Sequence, residues 1–187
     1  VFTGPLLGCA LGPLGEVSCW GVDGDARVAQ APGGLGFEDV SIGANAACAI
    51  GAGGALTCWA GGATDVVTSA PAAGEWADVA VGFAHACALS AGGEVTCWGD
   101  DVGGVVTGAP GGATWAQVES SPSVACARDG AGAVTCWGDA SNPIVAQAPS
   151  APLATLSVGA TSACGLDMAG ALVCWGSDRY GVVGQAP

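Results

Sequence analysis

The chain has 187 residues, among them 34 Gly, 10 Pro and 10 Cys, and a formal net charge of −13. Its only basic residues besides His85 are Arg27, Arg128 and Arg179, which excludes the clustered cations needed to grip nucleic acid or anionic lipid. Charged residues at 10% and a mean hydropathy of +0.53 exclude intrinsic disorder, which requires the opposite balance.

Self-similarity organises the rest. Trp recurs at 20, 59, 98, 137 and 175, each directly after a Cys, with another Cys ten residues before that one. A Gly stands four residues before each second Cys, and a Pro twelve residues after each Trp. Such spacing marks a repeat architecture. It divides a single domain, 1–187, into blades of about 39 residues at 1–32, 37–71, 76–110, 115–149 and 153–187. The first repeat has 19 residues ahead of its Trp and the last has 12 behind it, eight short of a full period together. The ends therefore either meet at one junction of a closed ring or leave an open arc with two raw faces. The uncharged stretch Ser41–Thr64 is long enough for a bilayer span. Its Gly, Ala and Cys, and the acids in the equivalent segments, favour a packed repeat over a membrane helix. The sequence opens on Val1 with no basic-then-apolar leader; if the protein has a secretory signal, it has been removed or lies outside this sequence.

The third repeat carries the pattern most plainly. Val79 and Val81 alternate in a short run ended by Gly82, which predicts a half-buried strand. His85–Ser90 and Glu94–Trp98 flank Ala91-Gly92-Gly93 and predict a hairpin. With Cys87 opposite Cys97, Leu89 falls opposite Val95, and Thr96 and Trp98 point to the other face. Opposed positions are close enough for a disulfide. Both faces are then apolar, as in a blade packed between two others. The tail through Val105 and Val106 to Pro110 predicts a turn and a further brief run, so each repeat holds three to four short strands. The fold class is all-β, a five-repeat propeller.

The string CALSAGGEVTCWG, preceded by DVAVG, resembles repeats of the regulator-of-chromosome-condensation superfamily, closest to the compact blades of bacterial secreted members and of the β-lactamase inhibitor of that type. It recurs as CALGPLGEVSCWG, CAIGAGGALTCWA, CARDGAGAVTCWG and CGLDMAGALVCWG. The resemblance implies a propeller, usually closed by seven blades where five repeats stand here, and exchange-factor, inhibitor or scaffold roles. A looser echo of five-bladed tachylectin-like propellers lies in the order Pro71, Trp76, Val79 and Pro110, Trp115, Val118.

Five equal C-x9-C pairs predict five disulfides, Cys9–Cys19, Cys48–Cys58, Cys87–Cys97, Cys126–Cys136 and Cys164–Cys174, and with them an oxidising, extracellular setting. Zinc would need other spacings and more than the single His85. The five Trp are read as inter-blade packing rather than a sugar-stacking ring. Trp76, Trp115, Phe37 and Leu153, which open repeats, are read the same way. Asp23, Asp25, Asp65, Asp100, Asp101, Asp139 and Asp178 follow the Trp and should gather on one face. A solvated face is the first reading, with low-ranked ligand binding and, at the pairs Asp23/Asp25 and Asp100/Asp101, weak Ca²⁺ candidacy as the second. No other cofactor is implied. His85 lacks a partner acid or nucleophile at a telling spacing, and catalysis finds no support. The expected function is a non-catalytic extracellular module that binds another protein or copies of itself, or builds an assembly. The alternative is a lectin with near-equivalent glycan sites between blades. An inhibitor like the β-lactamase-inhibiting relative ranks third.

Overall fold

The computed structural model describes residues 2–3, 7–22, 25–62, 64–112, 114–179 and 181–186. Five antiparallel sheets of three strands follow one another: β1 (Phe2–Thr3), β2 (Leu7–Leu11) and β3 (Val17–Gly21); β4 (Phe37–Ile42), β5 (Ala46–Gly51) and β6 (Ala55–Ala60); β7 (Trp76–Val81), β8 (His85–Ser90) and β9 (Val95–Gly99); β10 (Trp115–Ser120), β11 (Val124–Asp129) and β12 (Val134–Gly138); β13 (Ser157–Val158), β14 (Ser162–Leu166) and β15 (Leu172–Gly176). Every second and third strand pair places the two Cys opposite one another, and Leu89 lies opposite Val95 as the hairpin spacing requires. All five disulfides close within their own hairpins, with Cα atoms 4.0–4.1 Å apart.

Two local expectations are corrected. The run after each Trp is not a fourth strand. It forms α1 (Ala26–Ala29), α2 (Asp65–Thr68) and α3 (Pro143–Ala146), and a 3₁₀ turn at Val102–Gly104. Asp25 and Asn142 cap α1 and α3 by accepting from the N–H two residues on, and Pro143 begins α3 where no N–H is needed. In the third repeat Gly103 and Gly104 have positive φ, which breaks the turn of α-helix found in the first, second and fourth. The first strand of the third sheet is also not half-buried. Val79, Ala80 and Val81 are all buried, because neighbouring sheets cover both faces.

Each sheet packs on the next in sequence. Ala86 and Trp98 of the third sheet cluster with Cys48 and Ile50 of the second, while Cys87 and Leu89 cluster with Trp115 and Trp137 of the fourth. One face of a blade therefore presents the disulfide and an aliphatic residue, and the other presents Ala and Trp. The indole N–H of Trp59, Trp98, Trp137 and Trp175 donates to the carbonyl of Arg27, Val66, Val105 and Ile144 in the preceding repeat, at 2.8–3.1 Å. The turn glycines Gly15, Gly54, Gly93 and Gly132, all at positive φ, accept from the N–H of Phe37, Trp76, Trp115 and Leu153. Among the described residues the first and fifth sheets are not a packed pair, so the blades form an arc.

Candidate functional site

The first strands of successive sheets, β4, β7, β10 and β13, lie beside one another and form the inner wall of the arc. The turns that follow them converge. Ile42–Ala44, Val81–Phe83, Ser120–Pro122 and Val158–Ala160 line one groove of about 330 Å³. Phe83 stands in this lining and is 51% exposed. Arg27 braces the rim from below. Its guanidinium is buried, pairs with Asp25 through both carboxylate oxygens, and donates to the carbonyls of Gly43 and Ala44. The hydrogen bond from Arg27 holds the Asp25 carboxyl below the usual range.

Polar side chains on the inner strands tie blade to blade. Asp39 accepts from the N–H of Val79, Asp78 from that of Val118, and Gln117 donates to the carbonyl of Leu156. Ser41 accepts from the N–H of Val81. A register shift sits immediately before Asp39, Asp78 and Gln117, and such a bulge re-aims a side chain across the boundary. Glu119 accepts from Gln117 and, with Ser41, Ser120 and Val158, lines a second cavity of about 340 Å³ on the same wall. Burial raises the carboxyls of Asp39, of Asp78 to about 6 and of Glu119 to about 7; the negative charge of Asp39 adds to the last two.

His85 is buried in β8, and its Nε2 meets Ser120 Oγ of the next blade at 2.7 Å. Burial pushes the imidazole down to about 4, leaving it neutral. Asp101 acts on that ring only through space, because its carboxylate accepts from Val106 N, Thr107 N and Thr107 Oγ1. The Ser–His pair is thus another tie between blades.

The acids singled out in the sequence lie in the equivalent loops that follow the third strands, and most of them are engaged locally. Asp25 is taken by Arg27. Asp101, Asp139 and Asp178 accept from backbone N–H groups within their own loops. Among the described residues, Asp65 and Asp100 are the pair of these acids that comes together across a boundary, and their shared hydrogen bond raises Asp100. Asp23 lies outside the described residues. Among the described residues no group of three His, Cys, Asp or Glu converges in a way suited to a metal ion. The residues that do converge, Asp39, Asp78, Gln117 and Glu119, were missed. Their signal was the recurring aromatic-x-Asp/Gln-Val that opens repeats two to four.

The regulator of chromosome condensation (RCC1) repeat family matches residues 76–104. No curated protein matches. Among solved structures, the entire ectodomain of the Physcomitrella patens receptor kinase CR4 is similar over 91% of this chain and 49% of its own, at 27% identity and a TM-score of 0.76. The CRINKLY WD40 ectodomain of the Arabidopsis thaliana receptor kinase ACR4 is similar over 93% and 61%, at 22% identity and TM-score 0.72. Prp20p of Saccharomyces cerevisiae, whose structure was reported with its binding properties to Gsp1p and histones, is similar over 97% and 58%, at 14% identity and TM-score 0.74. This chain thus spans less than two thirds of each. The fold is that of a β-propeller built from repeated blades. More narrowly, it is an RCC1-like propeller, with one disulfide stapling each blade.

Proposed function

We propose that the chain is a non-catalytic extracellular module that receives another protein on the groove of inner turns. The observation that carries this reading is the convergence of four equivalent turns on one groove with a half-exposed Phe83 in its lining. An exposed aromatic on a rigid, concave surface is the usual anchor of a protein contact. Five hairpin disulfides support an oxidising compartment, and the likeness to the CR4 ectodomain agrees with it. The lectin reading loses the ring of Trp it would use, since Trp59, Trp98, Trp137 and Trp175 are closed between blades.

The test compares native protein with Phe83→Asp in capture from the extracellular protein fraction of the source, after mapping disulfides in both. A protein retained by the native form and lost from Phe83→Asp is expected. Saturable binding on a glycan array, unaffected by Phe83→Asp, overturns the reading in favour of the lectin.

A further inference from the structure

The groove of inner turns continues into the cavity on the strands beside it. Ile42, Val81, Ser120 and Val158 line both, so the two form one depression. A chain seated against Phe83 can send a side chain along the inner wall toward Glu119, which lines the second cavity. The depression sits on β4, β7, β10 and β13, and each of the first three has the next blade's first strand beside it. Blades added before the first or after the fifth would extend a propeller's inner wall around its channel without packing over it. The depression therefore does not depend on where the sequence begins or ends.

The polar side chains in the second cavity are Ser41, Glu119, Ser120 and Ser157. All of them accept hydrogen bonds, and one is a carboxylate. Glu119 accepts from Gln117 at 3.0 Å through Oε1, and among the described residues Oε2 accepts from none. Asp39 and Asp78 are held by N–H groups of the next blade, and their negative charge bears on Glu119. Among the described residues none of these three acids is in an ion pair. Arg27 is taken by Asp25, and Arg128 donates to Gln117 Oε1 and the carbonyl of Asp129. The chain has no Lys to supply instead. The wall beside the groove is thus of one sign and ends in an open carboxylate oxygen.

Resting on the reading of the groove as a protein-binding surface, we propose that the partner enters the depression with an arginine. An apolar neighbour of that arginine packs on Phe83, and its guanidinium pairs with Glu119. The charges are complementary, and a guanidinium has donors and no acceptor, as a lining of carboxylate and hydroxyls requires. Its long apolar stem suits the shared walls of Ile42, Val81 and Val158. An acidic segment would add to the repulsion among Asp39, Asp78 and Glu119, whereas an arginine offsets it.

The test uses blocked heptapeptide libraries whose central residue is Arg, citrulline or Glu and whose other positions are uncharged. Each is passed over the immobilised intact chain at about pH 8, above the value of about 7 to which burial raises Glu119. Mass spectrometry measures what is retained. Native protein is expected to hold the Arg library about tenfold or more above the citrulline and Glu libraries. Glu119→Gln, which keeps an oxygen for Gln117, is expected to lose that preference while its disulfides stay native. Glu75→Gln removes the same charge from an exposed position and is expected to keep it. Native protein that holds citrulline as well as Arg, or holds no library, overturns the proposal. A preference that survives Glu119→Gln, or is lost equally from Glu75→Gln, overturns it too. Failure of the groove reading looks different. Arg and citrulline peptides held equally by native protein and both lost from Phe83→Asp overturn the arginine and leave the groove, whereas capture from the extracellular fraction that Phe83→Asp does not change overturns both.

Discussion

Trp20 and Trp98 have the same neighbours in sequence, the same strand register and the same distance from a disulfide, yet one is half in solvent and the other is buried. The strand determines only which way the ring points. What it meets is decided by the preceding repeat, which offers Val66 and its carbonyl to Trp98. Burial in this molecule is therefore a property of boundaries between blades rather than of blades.

The largest effect expected from that contrast is at the Trp itself. Trp98→Ala should lower stability by about 3–5 kcal/mol, as the loss of a large buried aromatic does. Trp20→Ala should cost less than about 1 kcal/mol in dilute protein, as at exposed positions generally. Urea titration of the two variants measures the difference, and equal costs would show that the rings are not distinguished by their boundaries.

Replacing Cys87 and Cys97 together by Ser should cost about 2–3 kcal/mol, the effect of reopening a loop of this length. Access to reductant should follow the boundaries as well. Cys164 and Cys174 are both partly exposed on the uncovered face, whereas Cys9, Cys48, Cys87 and Cys126 are fully buried. Graded reduction followed by alkylation and mass mapping should label Cys164 and Cys174 first.

The inner wall sharpens the comparison differently, since its acids belong to the middle blades and the fifth blade has Thr155 and Ser157 at the corresponding places. The folded protein holds protons on Glu119 and Asp78 where the unfolded chain has lost them, while neutral, buried His85 works in the opposite sense below about 6.5, so the net fall in stability should come mainly as pH rises from about 6.5 through about 7. A change of about 1–3 kcal/mol is expected, read as a lower melting temperature at pH 8 than at pH 5. Glu119→Gln should remove most of the dependence. The smallest effect is expected at Trp115, whose indole N–H is buried without a hydrogen-bond partner. Trp115→Phe removes that unsatisfied donor along with some packing, and should change stability by less than about 1 kcal/mol in a melt.

The repeat, the hairpins, the pairing of all ten Cys and the packing role of Trp59, Trp98, Trp137 and Trp175 were legible in the sequence, because each rests on spacing repeated five times. The inner ties were not. Reading strict alternation along DVAV treats Asp78 as a polar residue ahead of a strand, whereas the bulge after Trp76 turns it toward Val118 of the next blade. The acids after the Trp attracted attention because they are numerous, but a short loop with unsatisfied N–H groups uses a carboxylate locally, as Asp101 and Asp178 do. Arg27 illustrates the same limit. Its position is apolar in the other repeats, and only the fold shows that its guanidinium reaches the carbonyls of the groove rim.

All five disulfides close inside a hairpin, and none joins one blade to another. Under tension applied at the two ends, the boundaries therefore part first and one at a time. Each blade that comes free pays out its linker while its stapled loop stays shut. Stretching a single chain is therefore expected to give short, countable steps, with each stapled hairpin keeping its register.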